Sequence, residues 1–93
     1  MEKEVQIIAI MKLILRKLIN MGKFGGAHTE LRNATKGLPS RYLMTPKGKK
    51  FVQSAIKELI NMQFLFAKPS TGEIHVSLNS HKTREIEEFL RDE

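Results

Sequence analysis

Between residues 4 and 20, apolar side chains recur at three- and four-residue steps: Val5, Ile8, Met11, Ile14, Leu15, Leu18 and Ile19. That spacing predicts an amphipathic helix over Glu4–Asn20. Ile7, Ile10 and Met21 widen the stripe to about half the circumference, more than the ~100° of apolar surface that a helix needs against one small core. Lys12, Arg16, Asn20, Gln6 and Lys17 fill the remaining arc, with Leu13 among them. The excess apolar surface calls for a cover, either the C-terminal helix of the same chain or the same helix of a second copy. Gly22, Gly25 and Gly26 end this helix, because glycine tolerates the positive φ of a helix C-cap. Phe24, between them, is expected to fold back onto the core. A short second helix is predicted over His28–Thr35, with Leu31 and Ala34 facing inward, and Lys36-Gly37-Leu38-Pro39 stops it. Ser40–Met44 reads as a connection, with Leu38, Leu43 or Met44 plugging the core beneath it.

Thr45-Pro46 is a strong helix start: the threonine hydroxyl can accept from an orphan N–H, and proline at the first helical position loses nothing. The third helix is predicted from Pro46 to Met62, with Phe51, Val52, Ala55, Ile56, Leu59, Ile60 and Met62 as its apolar face. Gly48 in its first turn weakens it by up to ~1 kcal/mol, which close approach of the backbone to a partner would explain. Phe64–Lys68 and Glu73–Leu78 are predicted strands. In the second, Ile74, Val76 and Leu78 alternate with Glu73, His75 and Ser77, as in a half-buried strand. Pro69-Ser70-Thr71-Gly72 carries turn chemistry between them. Asn79 or Ser80 caps a last helix reaching Arg91, with Ile86, Phe89 and Leu90 on one side. Leu18-Ile19-Asn20-Met21 recurs as Leu59-Ile60-Asn61-Met62, which predicts two helices that end alike and no repeat architecture.

Ninety-three residues fit one domain, taken as 1–93. The chain has no cysteine, which excludes a disulfide framework or a thiolate metal site and suits a reducing interior, so a cytoplasmic location is expected. Lys12, Arg16 and Lys17 interrupt the aliphatic N-terminal stretch, so it is not expected to span a membrane, which takes roughly 20 mostly apolar residues. No signal peptide is visible. The net charge is +6 and uneven: residues 21–50 hold seven Lys/Arg against one Glu, whereas residues 73–93 hold three Lys/Arg against six Asp/Glu. Clustered positive charge is the footprint of a polyanion binder.

His28, His75 and His81 share no metal-ligand spacing, Gly22-Lys23-Phe24-Gly25-Gly26 is no phosphate-cradling loop, and no nucleophile–base pair can be nominated. No catalytic residue, metal or cofactor is therefore expected. The third helix carries more. A helix entering the major groove needs long polar side chains on its outer face, and Lys47, Lys50, Gln53, Ser54 and Lys57 supply them as candidate base-reading residues. Lys49 lies toward the flank and suits a phosphate. Arg32, Lys36 and Arg41, on or after the second helix, suit phosphate contacts where a helix-turn-helix crosses the backbone. Tyr42 could donate to a phosphate or cover the core edge. At the hairpin, Lys68 and Thr71 could touch backbone.

Helix, helix, basic helix, hairpin is the order of a winged helix-turn-helix. The chain resembles that superfamily along nearly all its length, notably at His28-Thr29-Glu30-Leu31, Ala55-Ile56-Lys57-Glu58-Leu59-Ile60 and Ile74-His75-Val76-Ser77-Leu78-Asn79. It looks most like the small stand-alone winged-helix proteins of archaea. It departs from the pattern at Gln63, where many members place a glycine between recognition helix and wing, and in the long Gly37–Thr45 connection. The resemblance implies an α+β domain with a three-helix core, a two-stranded wing and a C-terminal helix. It also implies a role as a small transcriptional regulator or chromatin-associated factor on double-stranded DNA. A homodimer through helix 4–20, the C-terminal helix, or both is expected from the apolar excess. The alternative is a winged helix serving as a protein-interaction module in a larger assembly; RNA remains a third polyanion that charge alone does not distinguish.

Overall fold

The structure, a computed structural model, describes residues 3–92; residues 1, 2 and 93 of the expected domain lie outside the described part. It is an α+β domain whose described residues form five α-helices and one three-stranded antiparallel sheet. Helix α1 spans Lys3–Asn20, strand β1 Thr29–Glu30, α2 Leu31–Thr35, α3 Ser40–Leu43 and α4 Pro46–Asn61. Strands β2 (Leu65–Ser70) and β3 (Glu73–Leu78) follow, then a 3-10 turn at Ser80–Lys82 and α5 over Thr83–Arg91. The sheet order is β1-β3-β2, so β3 is central. Among the described residues no helix is long and apolar enough to cross a membrane.

One core holds the elements together. Ile10, Ile14, Leu15 and Leu18 of α1, Ala55 and Leu59 of α4, Leu65 of β2, Val76 and Leu78 of β3 and Ile86 of α5 are fully buried in it. Phe24 folds onto this cluster. Its turn also extends the sheet, since the Leu78 N–H donates to the Lys23 carbonyl (2.7 Å) and the Gly25 N–H to the Leu78 carbonyl (2.9 Å). Helix α5 packs back on α1: Arg16 donates to the Leu90 carbonyl (3.2 Å), Lys12 donates to the Asp92 carbonyl, and the Lys12 ammonium sits 5.5 Å from the Phe89 ring centre. This cover is partial, for Val5 (50% exposed), Ile8 (43%) and Leu13 (40%) still face solvent.

The two matching tetrapeptides end their helices with the same hydrogen bonds. After α1, Gly22 N–H donates to Ile19 O (2.9 Å) and Lys23 N–H to Leu18 O (3.0 Å); after α4, Gln63 N–H donates to Ile60 O (2.9 Å) and Phe64 N–H to Leu59 O (3.0 Å). Both are Schellman closures, which need a left-handed residue just past the helix. Gly22 meets that need with φ 68° and Gln63 with φ 63°. The Asn79 amide, donating to the Gln63 carbonyl (2.8 Å), helps hold the non-glycine residue there.

Three sequence expectations are corrected. The predicted second helix is shorter: Thr29 and Glu30 leave it to pair with Val76 and His75 of β3, because an otherwise open edge of β3 offers their backbone groups partners that a first helical turn lacks. The Ser40–Met44 connection contains α3, which starts directly after Pro39, a residue whose φ suits a helix start. Leu38 is buried and Leu43 half-buried, but Met44 is 75% exposed and plugs nothing. Lastly, the hairpin tip is two residues, Thr71 and Gly72, with φ 43° and 80°. Positive φ at both positions marks the primed turn whose twist matches a hairpin. Pro69 thereby falls inside β2, opposite Ile74, which is permitted because β2 is an edge strand and the missing N–H leaves no ladder bond unmade.

Candidate nucleic-acid interface

The candidate surface is built on α4, and its first turn explains why the helix sits where it does. The Thr45 hydroxyl accepts from the Gly48 N–H (2.9 Å) and donates to the Arg41 carbonyl (2.9 Å), so one side chain caps α4 and ties it to α3. Gly48 is buried at this crossing: a Cβ there would lie 2.3 Å from the Arg41 carbonyl oxygen and 2.5 Å from the Tyr42 Cα. The close approach that the glycine permits is thus to α3 of its own chain.

Burial of Ala55 and Leu59 turns the opposite side of α4 to solvent. Lys50, Gln53 and Lys57 are exposed there, with Lys49 exposed on one flank and Lys47 on the other, beside Arg41. Lys50 and Lys57 stand seven residues apart, two turns and about 10 Å along the axis, with Gln53 between them. None of these lysines forms an ion pair with another described residue. Ser54 lies on the Lys47 flank of this group, about 40° round the axis from Lys50. It is half-buried and lines the hollow between α1, α4 and α5 with Ile7, Ile8, Met62 and Phe89.

The other predicted contacts divide. Lys36 is exposed at the end of α2. Arg41 is exposed and lies over the Tyr42 ring, 4.6 Å from its centre, beside a hollow that Lys47 also lines. Tyr42 itself is 3% exposed, and its hydroxyl donates to the Gln6 side chain of α1 at 2.7 Å. Of the two roles open to it, covering the core is the one it occupies, and its hydroxyl is committed internally. Arg32 is clamped between carboxylates, with Nε 2.8 Å from Glu30 and a terminal nitrogen 3.9 Å from Glu73. The hydrogen bond to Glu30, then the charges of Glu30 and Glu73, hold its guanidinium above the ordinary arginine range. Both pairs are open to solvent, the Arg32 side chain being 68% exposed, so Glu30 and Glu73 engage its charge only in part. Thr71 is exposed at the hairpin tip. Lys68 shares a sheet face with His75, opposite it in register, and lines a hollow with His28, Phe66 and Ser77. That is the face turned away from α4, which meets the sheet through a hollow lined by Val52, Ile56 and Ile74.

Sequence reasoning missed one cluster. β1 brings His28 beside His75, with their Nδ1 atoms 2.8 Å apart. The two residues lie in distant parts of the chain, and only the register of Thr29–Glu30 on β3 joins them, so no local spacing signals the pair. Among the described residues no group of three or more His, Cys, Asp or Glu is placed to hold a metal ion.

Comparison with models of protein families, with curated proteins and with solved structures finds no match, so the chemistry of these surfaces is the basis for assigning a role.

Proposed function

We propose that this chain is a winged-helix protein that binds double-stranded DNA, with α4 as the recognition helix, α2–α3–α4 as an extended helix-turn-helix and β2–β3 as the wing. The observation that carries the reading is the outer face of α4, where Lys50, Gln53 and Lys57 are exposed together, flanked by Lys47 and Lys49, on a helix clamped at its start by Thr45 and Gly48. The order of helix, strand, two short helices, long helix and hairpin around a β1-β3-β2 sheet supports it. In this reading Lys50, Gln53 and Lys57 reach base edges, lysine toward guanine O6 and N7 and glutamine toward adenine. Lys36, Arg41, Lys47 and Lys49 neutralise phosphates. Arg32, Tyr42, Ser54 and Lys68 leave the contact set, for the reasons of pairing, burial and position given above.

The test is fluorescence anisotropy of the purified protein with a labelled random-sequence duplex across a salt series. Four phosphate contacts give a slope of log K against log salt near −3.6. Charge reversal of Lys50 and Lys57 together is expected to abolish binding while leaving the melting curve in place. Absence of binding at ~50 mM salt, where a basic binder is near its tightest, sinks the DNA reading and favours a protein-interaction module.

A second element of the reading is a homodimer through α1, motivated by the exposed Val5, Ile8 and Leu13 on a helix that α5 covers only in part. Sedimentation velocity checks it, and a monomer at micromolar concentration overturns it.

A further inference from the structure

We propose that His28 and His75 form an acid-sensitive latch, which holds the Thr29–Glu30 strand against β3 near neutral pH and releases it once both rings are charged. The two Nδ1 atoms stand 2.8 Å apart. The ring centres are 4.9 Å apart and the planes inclined by 54°, so the imidazoles meet nitrogen to nitrogen along one hydrogen bond. Such a bond holds one proton between a donor and an acceptor. Two neutral rings make it when one carries its proton on Nδ1 and the other on Nε2. A third proton leaves the bond in place and makes it charge-assisted, since a cationic ring's Nδ1–H still faces a bare Nδ1. A fourth proton puts a hydrogen on both Nδ1 atoms. No acceptor then remains between them, and two like charges face each other. The closed pair therefore holds three protons at most, whereas the open pair takes four.

β1 is where such a contact has leverage. The strand is two residues long and pairs only with Val76 and His75. Thr29 also accepts a hydrogen bond from Asn33 (3.0 Å), but Asn33 is four residues on and lies on the strand's own side of an opening. The His28–His75 bond spans 47 positions and ties the start of the strand to the centre of the sheet. The hollow beside the pair is completed by Gly25, Gly26, Phe66, Lys68 and Ser77, with no carboxylate among its described lining. Lys68 faces His75 from β2 and Glu30 faces it from β1. The Glu30 carboxylate is directed to Arg32 of α2 at 2.8 Å, and Glu73, further along β3, stands 3.9 Å from the same guanidinium. Lys68 thus adds to the repulsion between two charged rings, and the nearby carboxylates are shared with Arg32. By linkage, the form that binds more protons gains as pH falls. The open strand is therefore favoured toward the acid end of the range in which imidazole ordinarily changes charge, about pH 5–8. The latch stands whether or not α4 meets DNA, and no DNA enters its test.

Amide exchange of the full-length protein, read by NMR between about pH 7 and pH 5 and expressed as protection factors, tests the assignment. Protection factors remove the pH dependence of the exchange chemistry itself, and carboxylates, which ordinarily titrate near pH 4.3 or below, stay charged across most of this window. Protection at Thr29, Glu30 and Val76 is expected to fall roughly two- to tenfold from about pH 7 to pH 5, the equilibrium effect of losing one hydrogen bond. Protection at Leu65 and Phe66, in the β2–β3 hairpin, is expected to stay constant. His28→Asn is the deciding variant: its amide offers both a donor and an acceptor and does not titrate, so the strand stays closed and the pH dependence flattens. His28→Ala flattens it as well, at lower protection throughout, whereas His81→Ala keeps the wild-type fall. Wild-type protection that is constant over this range, or a fall of the same size in both His28 variants, overturns the proposal. Imidazole nitrogen spectra near neutral pH that place the proton of both rings on Nε2 overturn it too.

Discussion

Replacing Gly48 with alanine tests the joint on which the α4 surface depends. In an open helix this change gains up to ~1 kcal/mol, because alanine is the better helix former. Here the new methyl group would lie 2.3 Å from the Arg41 carbonyl oxygen, 2.5 Å from the Tyr42 Cα and 2.8 Å from the Thr45 hydroxyl. Two of the three are backbone atoms, so relief requires α3 and α4 to move apart. Overpacking of this kind costs about 1–3 kcal/mol. Displacing the Thr45 hydroxyl also loosens the cap on the Gly48 N–H, worth about 1 kcal/mol. Set against the gain in helix propensity, the net destabilisation is about 1–3 kcal/mol. At ~4–8 °C per kcal/mol for a domain of this size, the melting temperature falls by roughly 4–24 °C. Far-UV circular dichroism melts, with urea unfolding as a second measure, read this directly. Gly26→Ala and Gly37→Ala are the controls, since neither has positive φ and a Cβ at either meets nothing within 4 Å. They are expected to be neutral or to stabilise by ~0.4–1 kcal/mol. A Gly48→Ala protein that melts at or above the wild-type temperature refutes the reasoning.

Three other outcomes follow from contacts described above. Gln63→Gly relieves a left-handed residue and is expected to raise stability by up to about 1 kcal/mol, read as a shift in urea midpoint at unchanged m-value; a loss of stability counts against strain at that position. Tyr42→Phe removes the hydroxyl's bond to Gln6 and is expected to cost about 0.5–1.5 kcal/mol without changing the salt slope of DNA binding, and a reduced slope would return Tyr42 to the phosphate contacts. Glu30→Gln with Glu73→Gln releases Arg32 from both carboxylates. If DNA passes near β1 and the hairpin, affinity rises and the salt slope steepens by about 0.9, the increment for one more phosphate; an unchanged slope places the DNA path clear of α2's start.

How much of this was legible in the sequence depended on how local each cause was. Helix α4 could be placed because Thr45, Pro46 and the apolar period from Phe51 to Leu59 all act within one element. The like endings of α1 and α4 were visible as a repeated tetrapeptide, although only the backbone explains how Gln63 serves where Gly22 does. β1 was not legible: two residues have no periodicity, and their strand character comes from an edge of β3 that is formed far along the chain. The same remoteness hid the His28–His75 pair and the ion pairs that occupy Arg32. Tyr42 was left open between surface and core because α3, only four residues long, decides which way it points. On α4, Ser54 and Lys50 fall within about half a right angle of each other around the axis, and the packing of α1 and α5 separates them.

The sheet also sets an order of assembly. The β2–β3 hairpin closes through the two residues Thr71 and Gly72, whereas Thr29 reaches Val76 only after a closure more than twenty times as long. At ~0.6 kcal/mol for each doubling of loop length, that pairing begins about 2.5–3 kcal/mol behind the hairpin. A two-residue strand returns few hydrogen bonds against that deficit, so β1 docks only once α1, α4 and the hairpin already surround its place. What joins last opens first. The Thr29–Glu30 strand therefore marks where the native protein loosens while the rest stays folded, and amide exchange there is expected to outpace that of the hairpin.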